Sequence, residues 1–187
     1  MARVHYVKAA AKNHPALGIK KGEAYYWWKA DRFSPKRVSR TPPRRSQTMS
    51  SDKKSRVVAA QENLEDSLAS SRQLVDAEAV KTAKLAKAEQ RAYYKNIIEG
   101  FVGDCEQARD EVQEVQDEYQ EALDAWEGGN SQLEDLLGEA ENWTSAFEEA
   151  VSTAEEVAGR FDDEEDEITV DDALALLEDA VSSLETP

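Results

Sequence analysis

The 187-residue chain is poor in the residue types on which most enzymes and membrane proteins depend. It has a single cysteine, Cys105, which excludes an intramolecular disulfide and any cysteine-cluster zinc site. Cys105 falls at an apolar position of a helical repeat, so a buried, inert thiol is expected there. There are two histidines, His5 and His14, neither at metal-ligand spacing from a carboxylate or cysteine pair. Glycine patterns that cradle phosphates or present a nucleophile are missing. Carboxylates are plentiful, but pairs such as Glu148/Glu149 and Asp162/Asp163 read as solvated faces, and Asp162 to Glu167 lacks the glycine turn of a calcium loop. The expectation is a non-enzymatic protein with no catalytic residue, metal or cofactor. No run of about 18 apolar residues occurs, so no membrane span is expected. The first residues lack the apolar core of a secretory signal, which points to a cytoplasmic protein.

Cations are scarce as well, but only beyond residue 56. Residues 1–56 hold 15 Lys/Arg against 3 Asp/Glu, a local charge of +12. Residues 57–187 hold 8 against 36, a local charge of −28. Such asymmetry implies two parts with different partners, one of them a polyanion such as nucleic acid.

In the basic part, about residues 1–42, aromatic and β-branched residues alternate with cations. "VHYV" (Val4 to Val7), "AYYWWKA" (Ala24 to Ala30) and "KRVSRT" (Lys36 to Thr41) read as strands, with Ser34 and Pro35 turning the last two into a hairpin. Alternation puts Tyr25, Trp27 and Lys29 on one face and Tyr26 and Trp28 on the other. A sheet this small needs one aromatic face as its core. The other face and the flanking cations form a candidate nucleic-acid surface: Lys20, Lys21, Tyr25, Trp27, Lys29, Arg32, Lys36, Arg37, Arg40, Arg44 and Arg45. Phosphate neutralisation supplies affinity, and aromatic stacking adds to it for unpaired bases. Docking of this head on an acidic protein surface is the other reading. Residues 43–55, with prolines and many hydroxyls, read as a linker, and Ser51 or Asp52 as the cap of the helix that follows.

Residues 56–161 are helical in pattern. Tyr94, Ile98, Phe101, Cys105, Ala108, Val112, Val115, Tyr119, Ala122 and Trp126 step by fours and threes, the seam of a coiled coil. The phase survives Gly100 and Gly103, which predicts one helix through them, with a break at "EGFVGD" as the alternative. "GGN" (Gly128 to Asn130) stops the helix, and the stepping resumes at Leu133, Leu137, Ala140, Trp143, Phe147, Ala150, Ala154, Val157 and Phe161. Two such seams predict an antiparallel hairpin with Trp126 and Trp143 filling its middle. Upstream, a thinner seam (Val57, Leu64, Leu68, Val75, Leu85) would extend a single helix from Arg56 to Glu127, about 105 Å long. So thin a seam implies a partner, either a second copy or another protein. Residues 162–187 are read as an acidic loop and a C-terminal helix, "FDDEEDE" (Phe161 to Glu167) being the solvated acidic loop. A short amphipathic helix follows, capped by Thr169 with Asp171 and Asp172 in its first turn and Val170, Leu174, Leu177, Val181 and Leu184 on its apolar face. It is expected to dock on the hairpin or on a partner.

The fold expected is α+β, mostly α: an antiparallel β-ribbon, then a long acidic helical hairpin and a short C-terminal helix. At Lys20 to Gly22, Tyr25 to Lys29, Ser39 to Thr41 and Pro43 to Gln47 the sequence resembles the N-termini of uncharacterised proteins of tailed bacteriophages, which share a KKGxxYYWWK stretch and an SRTPPRRSQ-like tail. That resemblance implies a phage origin and a host cytoplasm. More distantly, the basic strand, aromatic strand and "RVSRT" strand are similar to the three-stranded arm-binding domains of phage integrases, which bind DNA. In that family a helix follows the sheet, where this chain carries the proline-containing stretch. The favoured reading is a binding protein whose head contacts nucleic acid and whose coiled coil self-associates or engages a host protein. The alternatives are an acidic DNA mimic that inhibits a host nucleic-acid-processing or defence enzyme, and a structural virion or assembly protein. Adaptation to high salt is a poor account of the acidity, because the head is rich in lysine.

Overall fold

A computed structural model describes every residue except Met1, His14, Ala16, Leu17, Glu127 and Glu164; His14 therefore lies outside the described residues. The chain is α+β and mostly helical: three short strands are followed by a 3₁₀ turn and four α-helices. It divides into two compact units, residues 1–59 and 60–187.

The first unit holds the expected sheet. β1 (His5–Val7), β2 (Tyr25–Trp28) and β3 (Arg37–Ser39) are antiparallel with β2 in the centre. The register sets His5 and Val38 beside Trp27 and Val7 beside Tyr25, so these five share one face. Tyr6, Tyr26, Trp28, Arg37 and Ser39 share the other.

One aromatic face was expected to be core, but the burial is not one-sided. Tyr25 and Trp28, on opposite faces, are both buried, whereas Tyr26 and Trp27 are half-buried. The cause is cover on both sides. The β1–β2 connection brings Ala10 and Ile19 onto Tyr25, with Val7, Trp27 and Val38 packed around them. Backbone hydrogen bonds between Ala10 and Glu23 and between Gly22 and Ala10, each 2.9 Å, hold that connection in place. On the other face the Trp28 indole donates to the Gln47 carbonyl at 2.8 Å.

That contact corrects the linker expected at 43–55. Ser46–Thr48 is a 3₁₀ helix whose Ser46 and Thr48 are buried, and the Ala2 amide donates to the Thr48 carbonyl at 2.7 Å. The hydroxyls that made the stretch look linker-like instead satisfy backbone groups. Thr48 donates to the Arg45 carbonyl and Ser55 to the Ser46 carbonyl. A helix does follow the sheet: α1 (Asp52–Thr82), with Ser51 as its cap, accepting from the Lys54 amide.

The second unit comprises α1 from Ala60, α2 (Lys87–Asp124), α3 (Ser131–Arg160) and α4 (Val170–Ser182). α2 and α3 form the expected antiparallel hairpin, and α2 runs unbroken through Gly100 and Gly103. At the turn Gly129 takes a φ of +69°, and Asn130 caps α3 by accepting from the Gln132 and Leu133 amides.

The single helix expected from Arg56 to Glu127 is two helices, broken at residues 83–86. No glycine or proline signals that break. The Lys84 and Leu85 amides close tight turns onto the Lys81 and Thr82 carbonyls, and the Glu89 carboxylate accepts from the Ala86 amide to start α2. Folding back places Thr82 against Tyr94 (3.0 Å between hydroxyls) and Ser67 against Asp104. Gln61 meets Val181 and Thr186, and Arg72 pairs with Glu178 at 3.2 Å. Each helix is thus antiparallel to the next, and Leu64, Leu68 and Val75 are buried within the unit. These seam residues are covered by other helices of the same chain. Leu85, in the break, is 43% exposed.

α4 docks as expected. Thr169 accepts from the Asp172 amide, and Leu174, Leu177, Val181 and Leu184 are buried, while Val170 is half-buried. The acidic loop before it is more than solvated chain. Arg91 donates to the carbonyls of Arg160, Phe161, Asp163 and Asp166 at 2.7–3.1 Å, and Lys95 grips both Asp162 oxygens at 2.7 Å. The paired Arg160 guanidinium holds the Asp166 carboxyl below the usual carboxylate range, first through its hydrogen bond.

Candidate nucleic-acid interface on the basic head

The nine cations singled out in the head are all exposed: Lys20, Lys21, Lys29, Arg32, Lys36, Arg37, Arg40, Arg44 and Arg45. They do not form one patch. Lys36 reaches over the Trp27 ring at 4.2 Å, on the face that carries Tyr25 and Val38. Arg40 donates to the Gly18 carbonyl and pairs with Glu23 at 3.4 Å. Arg37 points to the opposite face, where it donates to the Gln47 carbonyl at 3.2 Å. Arg44 and Arg45 flank that same segment, the Arg44 amide being held by the Gln47 side chain at 3.2 Å. Cations are therefore distributed over both sides of the sheet and its flanking segments.

The two aromatic residues expected to stack on bases are not available for it. Tyr25 is only 8% exposed and belongs to the core cluster. Trp27 is half-buried, with the His5 ring stacked on it at 4.1 Å and 7° and the Lys36 ammonium at 4.2 Å. β1 and the chain entering β3 flank β2 on opposite sides, so these two groups occupy opposite faces of the indole. His5, a lone strand histidine in the sequence, is the residue that closes this site.

The open aromatic residue is one that sequence reasoning missed. Phe33, in the β2–β3 loop, is 91% exposed. Its loop is ordered by Asp31, which accepts from the Phe33 and Ser34 amides at 2.7 and 2.8 Å and from the Ser34 hydroxyl at 2.5 Å. Those bonds, the Ser34 hydroxyl first, hold the Asp31 carboxyl below its ordinary range. The Arg32 guanidinium stands 5.8 Å from the centre of the Phe33 ring, and Lys29 precedes the turn. The available signal was "KADRFSPK", an aromatic residue between cations inside a turn formed by Asp and Ser. Tyr6, 58% exposed and leaning on Tyr26 at 5.0 Å, is a second open ring.

In the helical unit, the seam residues Ile98, Phe101, Val112, Val115, Tyr119, Trp143, Phe147 and Val157 are buried as expected. Leu133 and Leu137 are half-buried. Trp126 does not fill the hairpin: it is 58% exposed, because α2 ends at Asp124 and Trp126 lies in the turn itself. Cys105 is buried, and loss of solvation pushes its thiol up to about 12, beyond nucleophilic use. Among the described residues no three His, Cys, Asp or Glu side chains gather as a metal site, and no helix is long and apolar enough to cross a membrane. No family model matches the chain, no curated protein matches its sequence, and no solved structure matches its fold.

Proposed function

We propose that this is a phage-type, non-enzymatic binding protein acting in the host cytoplasm, whose basic head contacts nucleic acid and whose acidic helical unit engages a protein partner. The observation that carries the reading is the coincidence of charge with architecture. The +12 and −28 segments divide between residues 56 and 57, next to the division of the chain into two compact units at residue 59. The cations of the head are displayed around a folded sheet, where phosphates can reach them. The test is anisotropy of labelled DNA and RNA with the full chain at low salt. Binding that weakens steeply with added salt supports the reading. Binding that is absent, or insensitive to salt, removes it.

A second reading has its own observation. Residues 110–159, most of the α2–α3 hairpin, contain 16 Asp/Glu and no Lys or Arg. Carboxylates so spaced on paired helices can occupy the groove of a nucleic-acid-processing enzyme in place of phosphates. For this reading the protein must compete with DNA for such an enzyme, and Glu-to-Gln changes along the hairpin must abolish the competition while the head's charge is untouched.

A further inference from the structure

We infer that Phe33 is a stacking platform for an unpaired nucleobase, so that the head takes single-stranded rather than duplex nucleic acid; this rests on the reading of the head as a nucleic-acid surface. Three features of the β2–β3 loop carry it. The ring is the most exposed large apolar side chain among the described residues of the head, in a turn tied by three hydrogen bonds to Asp31. A phenyl ring left in water gains nothing from folding, and an ordered turn backbone lowers the entropy lost when a ligand covers the ring it carries. The cations near it in the chain suit a phosphate backbone: Arg32 lies beside the ring, and Lys29 precedes the turn. Asp31 is the local anion, and both of its oxygens are turned into the loop by their hydrogen bonds.

The preference for single strands follows from what is covered. Ala10 and Ile19 pack on one face of the sheet, and on the other Trp28 is buried and tied to Gln47, which leaves Tyr6, leaning on Tyr26, as the open part of that face; so small an open area is a poor match for a duplex groove. The ring that stands clear of the sheet is the loop-borne Phe33. An unpaired base can stack on it at once, whereas a duplex must first unstack a step to receive it.

The test is fluorescence anisotropy of the full-length protein with labelled oligo-dT of about 15 nucleotides, a mixed-sequence duplex of equal length and oligo-U of equal length. The single strands should bind more tightly than the duplex. Phe33→Ala should weaken single-strand binding by about 5-fold or more and leave duplex binding nearly unchanged. Phe33→Trp should retain wild-type binding, while Phe33→Leu, apolar but without a π-face, should behave as Phe33→Ala. The exposure of Phe33 means that all three variants should melt as wild type does, so folding does not confuse the result. If the wild-type protein binds none of the three probes, the nucleic-acid reading itself fails. If it binds them but Phe33→Ala changes nothing, or the duplex is preferred, the stacking role is wrong and the broader reading survives. Rescue by Phe33→Leu, or Phe33-dependent binding to phosphatidylserine vesicles, would show an apolar anchor and overturn the proposal.

Discussion

The head and the helical unit bury their apolar side chains by opposite means. In the helical unit each element covers one stripe. Ile98, Phe101, Cys105, Ala108, Val112 and Val115 are all buried, at the fours and threes that a helix face dictates. In the head a four-residue strand buries Tyr25 on one face and Trp28 on the other. Its core is small, so single polar contacts carry more of its order: Trp28 to Gln47, Arg40 to Gly18, and Asp31 within its own turn. The contrast predicts that the helical unit is most sensitive to cavities and the head to the loss of individual hydrogen bonds.

The largest effect should come from Phe101→Ala. It removes a ring that is 2% exposed and should cost about 3–5 kcal/mol, read as a fall in the helical melting transition. Equal loss from a half-buried position such as Ile97→Ala would break the argument that the seam carries the stability. Arg91→Met comes next. It leaves four carbonyls of the 160–166 segment without their shared donor and should cost about 2–3 kcal/mol in the same melt. In the head, Trp28→Phe keeps most of the ring and deletes the bond to Gln47. A cost of about 1 kcal/mol, with faster amide exchange in residues 46–48, would show that the 3₁₀ segment is held as described.

The smallest changes sharpen the contrast. Gly100 and Gly103 sit exposed inside α2, and an added Cβ would meet nothing within 4 Å. Gly100→Ala and Gly103→Ala should each stabilise the helical unit by roughly 0.5–1 kcal/mol, measured by denaturant titration. For Asp31 the sign follows from its depressed pKa. Its contribution to loop order is complete above the ordinary carboxylate value and is lost as pH falls through the lower, folded value. Amide exchange at Phe33 and Ser34 should therefore stay slow through mildly acidic pH, and Asp31→Asn should remove that pH dependence.

Much of this was legible before any coordinates. The three strands, the hairpin turn at 128–130, the Thr169 cap and the buried seam positions follow from local pattern, because each depends on residues within a turn or two of one another. The break at 83–86 was not legible. "KTAKLAKAEQ" is good helix material, and it bends because folding back lets Leu64, Leu68 and Val75 bury against helices more than 20 residues away. The candidate site divides in the same way. Its cations were legible from charge alone, since charged heads stay in water wherever the backbone goes. Which ring stayed open was not, since that turned on which segments came to cover the sheet. The residues by themselves determined a basic ribbon, an acidic helical hairpin and the division of charge between them, because these depend on composition and short-range periodicity. Only the tertiary structure decided that the 46–48 turn is tied to the sheet, that α1 packs against its own chain and that Phe33 is far more open to water than Trp27. Those outcomes depend on contacts between residues distant in sequence, which local preference does not encode.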